Sequence, residues 1–205
     1  MVAYPYYKRN KPNNEKMKKY ILICWLMLTA VKLSAQQLAV GTDVLKDALM
    51  IPNLGIELGL GKSHLAERTV LGLHGYVAHN PWGNKVKAWG IQPELRYYIS
   101  GRAMSRWFVG AGAHLANYDI VWSSKVYKGN SVGAGFIFGY VFNVTQRLNI
   151  DVHSGFGLVV YRHKEYYDGD FFETDYNNGQ TATPNSRGYT TLPTRLGVSL
   201  TYILK

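Results

Sequence analysis

Ten polar residues fall on the minor faces of otherwise apolar, alternating runs: Asp43, Glu57, His74, Gln92, Glu94, Arg96, His114, Asp151, His153 and Arg195. Histidines among carboxylates are the material of general-base catalysis. Acyl transfer needs more, a nucleophile beside a base that a third group orients. Ser154 follows His153 directly, so in an extended chain the two point to opposite faces. His79 with Ser123 and Ser124 is the best remaining combination, and its spacing is nonspecific. The competing chemistry is structural. Charges facing a narrow interior must pair and hydrogen-bond to offset their lost hydration. Glu57, Glu94 and Arg96 lie on neighbouring segments, with Arg195 placed to join them from across the interior. The expectation is a polar network of Glu57, Gln92, Glu94, Arg96, His114, Asp151, His153 and Arg195, with no catalytic residue. No metal is expected either: the six histidines are scattered and lack ligand spacing. Gly59-Leu60-Gly61-Lys62 lacks the spacing of a phosphate loop and no helix follows it, so no cofactor is expected.

The elements that must position these residues are strands. Trp89, Ile91, Pro93, Leu95, Tyr97 and Ile99 share one face, against Gly90, Gln92, Glu94, Arg96 and Tyr98 on the other. That is period two. Eight such segments are predicted, at 38–45, 53–61, 68–79, 86–99, 105–119, 130–143, 147–162 and 189–204. In 130–143, Val132, Ala134, Phe136, Phe138, Tyr140 and Phe142 oppose Gly133, Gly135 and Gly139. In 147–162, Ile150, Val152, Phe156, Leu158 and Val160 oppose Asn149, Asp151, His153, Gly155 and Gly157. In 105–119 the inner set is Phe108, Gly110, Gly112, His114 and Tyr118. Charges and glycines on the inner face with an apolar outer face predict an all-β, eight-stranded antiparallel transmembrane barrel. Even-numbered connections at 62–67, 100–104 and 144–146 read as short periplasmic turns. Those near 46–52, 80–85, 120–129 and 163–188 read as longer outer loops. Two aromatic girdles are expected, Trp82, Trp89 and Trp122 at the outer rim and Tyr97, Trp107, Tyr140 and Tyr202 at the inner one.

Composition agrees with that class: 205 residues with 21 Gly, 16 Tyr and one Cys. The net charge of +10 is concentrated at the start. Residues 1–35 hold seven Lys/Arg and one acid, leaving 16 basic against 12 acidic residues, or +4, beyond them. A nucleic-acid partner is therefore not expected. Met17-Lys18-Lys19, the apolar run Tyr20–Val31 and Leu33-Ser34-Ala35 read as a signal peptide over 17–35. That run is too short to span a bilayer as a helix. Residues 1–16 read as an upstream extension, and 36–205 as the barrel domain. Cys24 falls in the signal, so no disulfide is expected in the barrel.

Three stretches resemble an uncharacterised family of small outer-membrane barrels, domain-of-unknown-function family 3575. They are Pro52-Asn53-Leu54-Gly55-Ile56-Glu57-Leu58-Gly59-Leu60-Gly61, Asn80-Pro81-Trp82, and Trp89-Gly90-Ile91-Gln92-Pro93-Glu94-Leu95-Arg96-Tyr97-Tyr98. Tyr98 stands where the family pattern has Trp. The resemblance implies an OmpA/OmpX-like barrel architecture and the bacterial outer membrane, and no activity. Arg195-x-Gly197-x-x-Leu200-x-Tyr202 resembles the C-terminal signal read by the barrel assembly machinery, with Gly197, Leu200 and Tyr202 as its contacts. In the longest loop, Tyr166, Tyr167, Asp168, Asp170, Phe171 and Phe172 form an expected contact surface for an extracellular protein or glycan. The expected function is non-enzymatic, a structural or surface-interaction barrel held in outer-membrane lipid. A lipid A deacylase or acyltransferase barrel is the alternative. A soluble lipocalin-like carrier would need the opposite facing of Trp89–Ile99.

Overall fold

The computed structural model describes residues 37–61, 63–169 and 184–204. The predicted signal segment and Asp170, Phe171 and Phe172 lie outside them. The described chain forms eight antiparallel strands in a closed ring, each paired with its neighbours in sequence and β1 with β8. The strands are β1 (Leu38–Asp43), β2 (Asn53–Gly59), β3 (Thr69–His79), β4 (Val86–Tyr98), β5 (Arg106–Trp122), β6 (Lys125–Asn143), β7 (Leu148–Tyr167) and β8 (Ser186–Ile203). A five-residue helix α1 (Val44–Ala48) follows β1.

The alternation sets which way each side chain points. Gln92, Glu94, Arg96 and Tyr98 are buried inside, while Trp89, Ile91, Leu95 and Ile99 are exposed on the outer wall. The same holds around the ring, with Leu54 and Ile56, Leu71 and Val77, Val109 and Leu115, Phe136 and Phe138, and Phe156 and Val160 exposed. The most exposed of these is Phe136, 79% accessible. Above this apolar band the outer wall turns polar. Asn117 Nδ2 donates to Asn130 Oδ1 at 2.6 Å, and Lys128 pairs with Asp119 at 3.5 Å.

Register fixes the shape. One ladder row runs from Ala39 through Glu57, Gly72, Glu94 and Gly112 to Gly135, Gly157 and Leu192. Across the seam Ala39 pairs with Ile203 instead. Those two β8 positions differ by eleven residues, and the irregularity at Gly155/Phe156 takes up one, so the ring closes with a stagger of ten. Eight strands with that stagger tilt by about 40°. Rows then climb from β1 to β8, and the ends near Leu38, Gly59, Tyr98, Asn143 and Ile203 come out level. The apolar band above them is about 25 Å tall. At the upper end the wall is uneven. β5 to β8 rise beyond the band, whereas β1 and β2 stop about 10 Å below its top.

Three boundaries differ from expectation. The connection read at 120–129 is a two-residue turn at Ser123 and Ser124, both at positive φ, because β5 and β6 keep pairing to Trp122↔Lys125. β7 likewise continues to Tyr167 and β8 starts at Ser186. α1 replaces the end of the first predicted strand: Asp43 caps it, its Oδ1 accepting from Leu45 N at 3.1 Å and Lys46 N at 3.4 Å. Trp122 therefore sits at a hairpin tip about 15 Å above Trp89, outside any common girdle. Tyr97, Trp107, Tyr140 and Tyr202 do share one level, and the Trp107 and Tyr140 rings meet edge to face at 5.0 Å.

Gly112, Gly135 and Gly157 pair directly with one another across β5, β6 and β7. A Cβ on Gly157 would press on the Ala134 carbonyl oxygen and lie 2.7 Å from Gly135 Cα. Gly157→Val is expected to cost about 1–3 kcal/mol through overpacking, read as a lowered midpoint of urea unfolding. Phe156→Leu, on the opposite face of the same strand, should leave that midpoint nearly unchanged.

Candidate functional site

The interior is built in three layers. The lowest is apolar. The turn at 99–105 folds across the lower mouth and buries Ala103 and Met104 beneath Tyr98, Phe108, Val70 and Val141. Met104 takes positive φ (56°) to reach inward. Its carbonyl accepts from Asn143 Nδ2 and Asn149 Nδ2, both at 3.1 Å, and Asn143 Nδ2 also reaches Asn149 Oδ1 at 2.8 Å. Tyr98 and Phe108 stack tilted at 5.4 Å.

The middle layer is an ion network centred on Arg96, which is 1% accessible. Its Nη1 lies 2.6 Å from Asp151 Oδ2 and 3.2 Å from Glu57 Oε1, and its Nη2 lies 2.6 Å from Glu94 Oε1. The guanidinium also lies over the Phe108 ring, 4.6 Å from its centroid, so the network rests on the apolar floor. Glu94 is shared. Arg195 Nε sits 3.2 Å from its Oε2, and His74 Nε2 2.7 Å from its Oε1. Arg195 Nη1 donates to Gln92 Oε1 at 3.0 Å. Gln92 Nε2 then reaches His114 Nδ1 at 3.1 Å and the Thr194 carbonyl at 3.2 Å. The irregularity opposite Gly155/Phe156 makes that last contact, since it turns a β8 carbonyl into the lumen. His153 Nδ1 lies 3.5 Å from Asp151 Oδ1.

All eight residues of the predicted network thus face the lumen and are brought together there. His74, inward by alternation, joins them as a ninth. Glu57, His74 and Glu94 place ligand atoms within 4.8 Å of one another, a set that spacing along the chain does not show. Both carboxylates already hold Arg96, so a divalent cation at that point would face a buried guanidinium. The geometry suits an ion network better than a metal centre.

The upper layer is a cavity of about 330 Å³ lined by residues of β5 to β8, among them His114, Tyr118, Val159, Tyr161, His163 and Leu192. Tyr118 Oη and His163 Nδ1 are 2.8 Å apart, and the Tyr161 ring stacks on His163 at 5.1 Å. Alternation places His114 and Tyr118 inward on the predicted strand 105–119, whereas His163 lies just past the predicted end of 147–162.

Other expected positions fall elsewhere. Tyr166 and Tyr167 lie in β7, paired with Val126 and Lys125, and not in a loop. Asp168 holds Lys85 at 2.7 Å and so ties the β7 end to the β3–β4 connection. On the projecting β6–β7 ladder the Lys125 ammonium is held above its ordinary pKa by its 2.8 Å hydrogen bond to Glu165. Glu165 is held below its own by the same bond. Gly197 faces inward against Asp43 and His153, while Leu200 and Tyr202 face outward at the seam, opposite Thr42 and Val40. His79 pairs with Lys87 at the top of β3, and Lys87 pairs with Asp119, four residues before Ser123. Four residues of strand span about 13 Å, so His79 and Ser123 do not form a dyad.

One missed residue has a clear role. Asn53 Oδ1 accepts from Asp43 N at 2.6 Å, and Asn53 Nδ2 donates to Asp47 Oδ1 at 2.8 Å. It clamps the β1–α1–β2 connection from the Pro52-Asn53 pair that opens β2.

Fold and lumen define a small closed β-barrel whose lower interior is filled and ion-paired. The chain belongs to the family described as Protein of unknown function (DUF3575), which it matches over residues 20–204. No curated protein and no solved structure matches it.

Replacing Arg96 leaves three buried carboxylates without their shared cation. Arg96→Met is expected to cost about 3–5 kcal/mol, measured by urea unfolding. Arg195→Met, which leaves Glu94 still bound to Arg96 and His74, should cost less than half of that.

Proposed function

We propose that this chain is an integral outer-membrane barrel with no catalytic role, acting as a structural or surface-interaction protein. The observation that carries the proposal is the facing of the wall. Apolar side chains cover the outside in a band about 25 Å tall, and the charged residues are inside. On β6 the band runs from Val132 to Phe142, eleven residues on a tilted strand. A membrane-spanning strand needs about 9–11. A water-soluble barrel of this sequence would expose Leu54, Leu73, Trp89, Phe136, Phe138, Phe156 and Leu196 to solvent, a larger apolar surface than soluble monomers carry. Closure supports the same reading, since a ring leaves hydrogen-bonded ladders through most of the band.

The level ends near Leu38 and Ile203 are assigned to the periplasm, consistent with a secreted chain inserted by the barrel assembly machinery. An OmpA/OmpX-like size and architecture fits eight strands with a filled interior. The filled lower lumen disfavours a wide pore. The projecting ladders of β5 to β8, with Tyr127, Tyr166 and Tyr167 above the band, are the surface offered to an extracellular protein or glycan. The interior carboxylates and histidines serve cohesion in this reading: Glu57, Glu94 and Asp151 hold Arg96, His74 and His153 lie against Glu94 and Asp151, and His114 meets Gln92.

Fractionation of cells expressing the tagged full-length chain tests the location. The product is expected in the outer-membrane fraction, with a gel mobility that shifts on boiling. A soluble product without the shift would overturn the proposal. Depth can be tested by charge. Phe136→Arg, at mid-band, is expected to destabilise the inserted barrel by about 2–4 kcal/mol, and Asn130→Arg, above the band, by about 0–1 kcal/mol, both from unfolding in lipid vesicles.

A further inference from the structure

The unequal wall has a consequence at the upper lumen. β1 pairs with β8 only from Ile203 up to Ser199. Above Ser199, β8 continues to Ser186 paired with β7 alone among the described residues. The missing partner spans the upper part of the apolar band, from about Gly197 to Leu192. In its place stands α1, which packs against β8. Val44 and Leu45 of α1 and Leu49 and Met50 of its connection to β2 are each about half exposed.

The cavity of about 330 Å³ lies on the inner face of β5 to β8 just above the ion network, and Leu192, Pro193 and Thr194 of the unpartnered β8 stretch form part of its lining. Among the described residues it is therefore walled on one side by tall strands and open on the other over the low tops of β1 and β2. Its lining is mostly apolar, with Val159, Leu192 and Pro193 below and the Tyr118–His163 hydrogen bond at its upper end. Its volume is at the small end of ligand sites, roughly 300–1,000 Å³. Unpaired backbone at hydrocarbon depth is tolerated only where protein shields it or a wet cavity adjoins it. Here the shield is a single helical turn held by its Asp43 cap, Asn53 and the Lys46–Asp43 ion pair at 2.6 Å.

We propose that this half-open upper lumen is a binding site for one acyl chain of an outer-leaflet lipid, which reaches it sideways past α1, over the low tops of β1 and β2. The inference rests on the membrane reading above. The occupant follows from position: the opening faces the band where acyl chains are the solvent, and the floor beneath it is closed by Gln92, Arg195 and His114. The headgroup stays at the rim, level with the Tyr118 hydroxyl and His163.

The test is photolabelling of the full-length protein's membrane product, reconstituted in phosphatidylethanolamine vesicles that carry a diazirine on one acyl chain, with adducts mapped by mass spectrometry. Adducts are expected on outward residues such as Phe136 and Leu158 and also on the inward Val159, Tyr161 and Thr190. Val159→Trp and, independently, Thr190→Trp should remove the inward adducts while keeping the outward ones and the heat-dependent gel shift. Outward adducts without inward ones in the unmodified protein would overturn the site and leave the membrane reading standing. Absence of all adducts together with loss of the gel shift would overturn both. Inward labelling by a free diazirine fatty acid but not by the phospholipid would overturn sideways access from the leaflet.

Discussion

The interior depends on one buried guanidinium. Arg96 carries its charge where almost no water reaches, and an isolated charge there is untenable. Three carboxylates from three different strands meet it, Glu57 from β2, Glu94 from β4 and Asp151 from β7. Those contacts cross the lumen, so they join opposite walls that the backbone ladders link only around the circumference. Phe108 beneath the guanidinium adds an apolar seat and couples the network to the floor made by Met104 and Tyr98. A ring of strands fixes its own radius, and Arg96 makes the space within that radius a single packed unit.

Stagger does the rest of the shaping. Strands that share one tilt and start level at the lower end finish level only if they are equally long. β1 and β2 have 6 and 7 residues, whereas β6 and β7 have 19 and 20. The upper wall therefore stands high on one side and low on the other. The low side is where α1 and its Asn53 clamp sit. The glycine row across β5, β6 and β7 belongs to the same economy of space, since paired inner faces without side chains let the tall wall curve tightly over the cavity.

The segment Trp89–Tyr98 shows how far alternation reaches. Period two assigns every one of its side chains to a face, and the same rule applied to Glu57, Asp151, His153 and Arg195 identifies a lumen set without knowledge of who touches whom. Arg195 is the instructive exception in detail. The irregularity opposite Gly155/Phe156 resets the parity of β8, so Arg195 points inward below it while Thr190 points inward above it. Simple alternation through Pro193 assigns one of them wrongly. Reading 163–167 and 120–129 as loops failed for a related reason. Lys, Glu and Gly are poor strand signals, yet both stretches are held extended by pairing, Trp122 with Lys125 across the two-residue turn and 163–167 along β6.

By itself the sequence determined the number of strands, the face of most residues and the membership of the charged interior, because a strand's geometry links position to direction with a period of two. Tertiary structure alone decided the stagger, the partners of Arg96, the folding of the 99–105 turn over the lower mouth and the unequal height of the wall. These depend on register, and register is a property of pairs of strands summed around a closed ring, so no local stretch of sequence contains it.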